Sequence, residues 1–151
     1  MVELVPSLLR QELARLADES ERIDGRGQWD TREVSLDTNC LYNAEGSAKV
    51  VMGGTVVYAG VKFELRTPWP DRPTQGSLMC GAELRPVAGR KYEPGPPSPE
   101  SIELGRVVDR GIRESGCIDM ESLCIVPGEK VWGVMIDIHV MSDQGNIFDA
   151  C

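Results

Sequence analysis

The apolar positions in the first part of the chain change from helical to strand spacing. Residues 6–19 carry leucines three and four positions apart, which predicts an amphipathic helix that Ser7 can cap. Farther along, apolar and polar residues alternate, as they do in a half-buried strand. The strands predicted in this part cover residues 32–37, 48–52 and 55–65, with a tight turn at Gly53-Gly54 between the last two.

The rest of the chain predicts one long helix between two β regions. Residues 77–87 alternate as a further strand. A helix is predicted over residues 98–115, because Ser98 suits the N-cap and Pro99 suits the first helical position. The turn Pro127-Gly128 then separates the two strands of a predicted hairpin, residues 123–126 and 131–141. This order of elements indicates an α+β architecture in which helices pack on a sheet.

Composition narrows the class of protein without defining it. The chain has 151 residues and is 41% hydrophobic, which is enough for one domain with a real core. Its net charge of −8 disfavours a general nucleic-acid binder, although a small basic patch can act within an acidic protein. Because the apolar runs are strand-sized and no signal-peptide pattern opens the chain, we expect a cytoplasmic protein with no membrane partner.

Neither the five cysteines nor the single histidine indicates a metal site or a catalytic centre. The cysteines form no CxxC pair, which is the spacing typical of zinc sites. His139 alternates with apolar neighbours in a predicted strand, and no nucleophile with a base beside it is visible. We expect no metal, no cofactor and no catalytic residue on this chain. Three carboxylates of its last part are predicted to be structural: Asp137, Asp143 and Asp149.

The helix predicted over residues 98–115 has the most specific pattern of charge. Arg106, Arg110 and Arg113 recur at i, i+4 and i+7, so three guanidinium groups share one helix face. Such groups bind phosphate oxygens in a forked geometry, which favours an anion-binding face. In the alternative interpretation the face is solvated, and its arginines pair with acidic residues of the same helix. Those acidic residues are Glu103, Asp109 and Glu114.

The opposite face of this helix is apolar. Its members are Leu104, Val107, Val108, Gly111 and Ile112. Gly105 and Gly111 lower the helix propensity, and we expect them to allow a close approach to the sheet or to another chain.

Several short motifs, taken in their order and spacing, resemble those of RNase PH-like proteins. The first are Arg22-Ile23-Asp24-Gly25-Arg26 and Ala44-Glu45-Gly46-Ser47-Ala48 with Gly60-Val61-Lys62. The next are similar to the exosome subunits of this family: Pro68-Trp69-Pro70-Asp71 with Gln75-Gly76, Glu93-Pro94-Gly95-Pro96-Pro97 and Ser101-Ile102-Glu103-Leu104. The run from Arg106 to Ser115 is similar to the non-catalytic rather than the catalytic subunits of archaeal exosomes.

This resemblance implies an α+β fold with an RNase PH-like (ribosomal protein S5 domain 2-like) βαβα unit, a mixed sheet and packed helices. Residues 1–20 would form an N-terminal helix, and residues 21–151 the first portion of the RNase PH-like domain. The chain would therefore be C-terminally truncated relative to the family. A half fold exposes an apolar sheet face, so we expect a longer natural protein or a tight dependence on a partner.

The resemblance also implies a place in a phosphorolytic 3′→5′ exoribonuclease. In that assembly two related subunits alternate in a hexameric ring, RNA-binding cap subunits admit single-stranded RNA, and inorganic phosphate cleaves the terminal bond at the catalytic subunit. The non-catalytic subunit shapes that site and contributes arginines to the RNA path. Arg106 and Arg110 match the helix positions that touch RNA in the family, and Arg113 is a further candidate.

One departure from the catalytic relatives bears on activity. Their arginines near the start of this helix hold the attacking phosphate, whereas this chain has Ser98-Pro99-Glu100-Ser101 there. The carboxylate of Glu100 would repel phosphate, and phosphoryl transfer depends on positioned positive charge. We therefore expect a non-catalytic subunit that contacts RNA. An active phosphorolytic exoribonuclease and a purely structural ring subunit are the alternatives.

Overall fold

The computed structural model describes the backbone from Leu4 to Cys151 and the side chains from Ser7 onward. Contacts divide the chain into two compact units, one up to Glu33 and the other from Val34 to Cys151. The expected absence of a signal peptide concerns the first residues, which lie partly outside the described range. The domain boundary expected after residue 20 stays a prediction. No helix of the described part is long and apolar enough to cross a membrane.

The first unit contains the helix α1 (Leu4–Asp18), as the leucine spacing predicts. Ser7 lies inside this helix rather than before it, so the prediction that Ser7 caps the helix is wrong. A tight turn follows, in which the backbone N–H of Arg22 donates to the carbonyl of Arg26 at 2.9 Å. Gly25 has φ 76° in this turn, a left-handed conformation that glycine adopts at little cost.

The second unit is built on one mixed sheet with two helices. Its strands are β1 (Val34–Thr38), β2 (Gly46–Met52), β3 (Thr55–Arg66), β4 (Ser77–Leu84), β5 (Cys124–Val126) and β6 (Lys130–Ser142). Its helices are α2 (Pro99–Ser115) and α3 (Ile147–Ala150). The strand order is β1-β2-β3-β6-β4, with β5 paired to β6. Strand β4 runs parallel to β6 and the other pairs are antiparallel. The expected mixed sheet with packed helices is confirmed.

Burial alternates along the strands because successive side chains point to opposite faces of the sheet. In β6, Ile136, Ile138 and Val140 are buried, while Asp137 and His139 between them are exposed. The apolar sides of β3 and β4 continue the same face. Helix α2 covers part of this face through Leu104, which is 2% exposed. Burying such a side chain contributes about 1.5–3 kcal/mol, so this contact fixes the position of α2.

Helix α2 approaches the sheet most closely at Gly105. A Cβ atom there would lie 3.3 Å from the backbone N of Ala82 and 3.4 Å from the carbonyl O of Cys80. The expected close approach to the sheet is confirmed at Gly105. At Gly111 a Cβ would meet nothing within 4 Å in this chain, so the expected approach to another chain stays a prediction there. Val107, on the apolar side of the helix, is exposed. Because α2 packs on the edge strand β4, only a narrow stripe of the helix is covered.

Candidate nucleic-acid interface

Capping interactions at both ends fix the limits of α2. The Ser98 hydroxyl accepts a hydrogen bond from the backbone N–H of Ser101 at 3.2 Å, and the Ser101 hydroxyl donates to the Ser98 carbonyl at 3.0 Å. Pro99 occupies the first turn, and Gly116 ends the helix in a left-handed conformation at φ 64°. The predicted cap and first residue are confirmed. The side chains of α2 are therefore presented from a helix with defined ends.

Arg106 and Arg110 are exposed and carry no hydrogen bond or ion pair within the part of the chain that the structure describes. Glu103, Asp109 and Glu114 form no ion pair with either of them. The pairing expected in the alternative interpretation is therefore not made by these two arginines, although both are solvated as that interpretation expects. The arginines lie four residues apart, which is about 6 Å along the helix axis. Two adjacent guanidinium groups therefore remain available to an anionic ligand.

Arg113 differs from these two arginines because it is engaged within the protein. Its Nη2 atom donates to the carbonyl of Leu78 at 3.0 Å and to Asp109 Oδ1 at 2.9 Å. Its Nε atom donates to Asp109 Oδ2 at 3.1 Å. Arg113 thus joins the C-terminal part of α2 to strand β4. Its assignment as an RNA contact stays a prediction.

A shallow depression of about 490 Å³ lies beside Arg106 and Arg110 on the outer side of α2. Ile102 and Val107 line it, and their side chains are 52% and 49% exposed. Glu103 also lines it and contributes a negative charge. Guanidinium groups beside exposed apolar side chains suit a ligand that has both anionic and apolar parts, as a nucleic-acid strand does.

The start of α2 borders a cavity of about 600 Å³ that contains charges of both signs. Its carboxylates belong to Glu83, Glu93 and Glu100. Its two cations are engaged: Arg85 donates to Glu83 at 2.6 Å, and Lys91 lies 2.9 Å from Asp143. The helix start thus combines a carboxylate with cations that already have partners, which is a poor environment for inorganic phosphate.

The carboxylate of Asp143 holds the loop before α2 against the end of β6. Asp143 Oδ2 accepts a hydrogen bond from the Tyr92 hydroxyl at 2.6 Å and forms an ion pair with Lys91 Nζ. Burial acts to raise the pKa of Asp143, but hydrogen bonds from Tyr92, Lys91 and the Gly145 N–H outweigh it and lower the pKa below its usual value. Burial, followed by the hydrogen bond to Asp143, raises the pKa of Tyr92. Asp143 therefore has a structural role, as predicted.

The other polar residues singled out in the sequence lie apart from α2's exposed arginines. Asp149 accepts a hydrogen bond from the Asn146 side chain, which supports its predicted structural role. His139 is on the exposed face of the sheet, with Nδ1 3.4 Å from Glu83. All five cysteines are free, and burial raises the pKa of the Cys80 thiol to about 11. Within the described residues, no group of three His, Cys, Asp or Glu side chains could hold a metal ion.

One group of residues was not recognised from the sequence. Arg66, Arg72 and Arg113 line a cavity of about 460 Å³ together with the exposed ring of Trp69. These residues come from a strand, a loop and a helix, so no local spacing connects them. The only sequence feature that could have indicated this cavity was Trp69, which lies in a loop rich in proline and polar residues.

These features define an α+β protein with a mixed sheet and a packed helix that exposes two unpaired arginines. The model of the 3′ exoribonuclease family, domain 1, matches residues 30–151 of the chain. The chain belongs to this family, which is the RNase PH family.

Curated relatives add to the assignment. The chain is 50% identical over 150 residues to the exosome complex component Rrp42 of Methanosarcina acetivorans, covering 99% of this chain and 56% of that protein. It is 51% identical over 138 residues to the protein of the same name from Archaeoglobus fulgidus, and the match covers 91% of this chain and 53% of that protein. The resemblance to archaeal exosome subunits is therefore confirmed. The chain spans about half the length of these curated relatives.

Solved structures agree with this result. A chain of the Archaeoglobus fulgidus exosome with RNA bound to the active site superimposes with a TM-score of 0.91 at 47% identity, covering 98% of this chain and 58% of that chain. A chain of an archaeal exosome core superimposes with a TM-score of 0.82 at 44% identity. The match covers 95% of this chain and 54% of that chain. These likenesses confirm the RNase PH-like fold and the predicted shortness of the chain relative to its family.

Proposed function

We propose that this chain forms the first portion of a non-catalytic exosome subunit, which contacts RNA in a phosphorolytic 3′→5′ exoribonuclease. The observation that carries the proposal is the pair of unpaired guanidinium groups at Arg106 and Arg110 on α2. The surrounding protein has a net charge of −8, so an exposed basic pair without internal partners is best explained by an anionic ligand. Relatives named as exosome components support the same assignment.

The proposed partners follow from the resemblance. A catalytic RNase PH-like subunit would alternate with this subunit in a hexameric ring, RNA-binding cap subunits would admit the substrate, and that substrate would be single-stranded RNA. Inorganic phosphate would be used by the catalytic partner, and this chain would need no cofactor. A cytoplasmic location is part of the proposal. The likeness to a chain of an RNA-bound archaeal exosome supports the assembly.

The start of α2 supports a non-catalytic role. Ser98 and Glu100 occupy the stretch where the catalytic relatives would carry phosphate-holding arginines. The cations nearby, Arg85 and Lys91, already have carboxylate partners. In this proposal the chain contributes charge along the RNA path, through arginines held rigidly on α2, and leaves bond cleavage to its partner.

The test uses the assembled ring with the double variant Arg106→Glu, Arg110→Glu. We expect weaker binding of single-stranded RNA, with the slope of log affinity against log salt reduced by about 0.7 for each phosphate that the variant no longer neutralises. Arg90→Glu is a matched control, because Arg90 is exposed and lies outside α2. Size-exclusion chromatography must show that both variants still assemble.

Two outcomes would contradict the proposal. Unchanged RNA affinity and salt dependence in the double variant would favour a purely structural subunit, whose arginines contact protein rather than RNA. Phosphate-dependent release of nucleoside diphosphates from RNA by the purified chain alone would favour an active phosphorolytic enzyme. Crosslinking of RNA to residues 106–113 in the assembled ring would support the proposed contact directly.

A further inference from the structure

The loop between β3 and β4 has a defined conformation. The backbone N–H of Arg72 donates to the Trp69 carbonyl at 3.0 Å, and that of Gly76 donates to the Met120 carbonyl at 2.8 Å. The Pro73 carbonyl accepts a hydrogen bond from Gly128 at 2.8 Å. A Cβ atom on Gly76 would lie 2.5 Å from the Cβ of Leu123, so the end of the loop is packed tightly. Side chains on this loop are therefore held in fixed places.

This loop presents an aromatic ring to solvent. The Trp69 side chain is 67% exposed, and no other ring packs on it in the described residues. Trp132, by contrast, packs edge-on against Phe63 at 6.1 Å between ring centroids. A large exposed ring on a well-held turn indicates a contact surface, because leaving an indole in water has no structural benefit.

Two arginines beside Trp69 have unused hydrogen-bonding capacity. Arg66 Nε donates to Glu64 at 3.1 Å, but its Nη1 atom faces only the thioether of Met79 at 3.2 Å, which is a weak acceptor. Arg72 lies 3.9 Å from Asp71, and both side chains are more than half exposed, so this ion pair is weak. A phosphate oxygen would be a better acceptor for either guanidinium group.

We propose that this cavity binds a nucleoside phosphate. The base would stack on the Trp69 ring, and the phosphate would lie against Arg66 and Arg72. The volume of about 460 Å³ is within the range of roughly 300–1,000 Å³ of small-molecule sites. Stacking on an aromatic ring beside arginines is how proteins commonly hold single nucleotides of a strand. The ligand could therefore be a free nucleotide or one nucleotide of an RNA.

The test is calorimetric titration of the chain with adenosine 5′-monophosphate, with tryptophan fluorescence recorded in parallel. We expect saturable binding with quenching of fluorescence. Trp69→Phe should abolish the quenching, whereas Trp29→Phe, which changes another exposed tryptophan, should retain it. Arg72→Gln should weaken binding about tenfold, which corresponds to ~1.4 kcal/mol, and the exposed Arg90→Gln should not.

The proposal is overturned if no saturable binding occurs at millimolar nucleotide, or if Trp69→Phe and Arg72→Gln leave the affinity unchanged.

Parallel titrations identify the source of the nucleotide. Tighter binding of a short single-stranded RNA than of adenosine 5′-monophosphate, abolished by Arg72→Gln, would assign the site to an RNA strand. Equal or tighter binding of the mononucleotide would assign it to a free nucleotide. The variant Arg106→Glu, Arg110→Glu should leave mononucleotide binding unchanged, because those residues do not line this cavity. Failure of this site and failure of the proposed helix contact are thereby distinguishable.

Discussion

The guanidinium group of Arg113 donates a hydrogen bond to the backbone carbonyl of Leu78 at 3.0 Å, which joins α2 to the edge strand β4. The same group forms a two-atom contact with Asp109 one helical turn earlier. Arg106 and Arg110 share its helix face but make no such contacts. Of the three arginines on this helix face, Arg113 therefore has a structural role, and Arg106 and Arg110 are available to a ligand.

Replacing Arg113 should lower the free energy of unfolding, whereas replacing the other two arginines should not. Arg113→Ala leaves the Leu78 carbonyl without its side-chain donor, and we expect a decrease of about 1 kcal/mol. The free energies of unfolding of Arg106→Ala and Arg110→Ala should stay within about 0.5 kcal/mol of that of the parent chain. Urea denaturation followed by circular dichroism provides the comparison. Equal effects at all three positions would contradict the separation.

The contact between Tyr92 and Asp143 should make stability depend on acid pH. The folded pKa of Asp143 lies below the ordinary value of 3.8, so its contribution is fully present above that value and is lost as pH falls through the folded pKa. Asp143→Asn should be less stable near neutral pH and should lose less stability on acidification. Denaturant midpoints measured from neutral to acid pH test this, with Asp37→Asn, which changes an exposed carboxylate of β1, as the control.

The Tyr92 hydroxyl provides a second test of this contact. Tyr92→Phe removes only the donor and leaves a carboxylate that is 8% exposed with one partner fewer. We expect a decrease in the free energy of unfolding of roughly 1–3 kcal/mol, measured by urea denaturation at neutral pH. No change in the denaturation midpoint would mean that Lys91 and the Gly145 N–H satisfy Asp143 without the hydroxyl.

Replacing Gly105 and Gly111 of α2 by alanine should change the stability of the protein in opposite directions. Gly105→Ala places a Cβ against the backbone of β4, which cannot move aside locally, and should destabilise the protein by about 1–3 kcal/mol. Gly111→Ala adds a methyl group in open space within the helix and should stabilise it by about 0.5–1 kcal/mol. Thermal melts of the two variants distinguish the signs. Destabilisation by both would mean that Gly111 has an unseen neighbour.

Much of the fold could be predicted because its determinants are local. The turn at Gly53-Gly54, the Ser98 cap and the Gly116 terminus each depend on the conformational preference of a residue and its immediate neighbours. Strand faces were also predictable, since side chains alternate along an extended backbone. Ser7 was misjudged because a cap depends on where the helix begins, and this helix begins by Leu4.

The sequence by itself determined the order of the elements, the family and the helix that carries Arg106, Arg110 and Arg113. Only the tertiary structure decided which of these arginines is available, since Arg113 reaches a carbonyl 35 positions away along the chain. It also decided that Val107 and Gly111 lie in solvent, and it brought Arg66, Trp69 and Arg113 to one cavity. Such outcomes depend on packing between distant segments, and a local pattern of residue types contains no information about those distances.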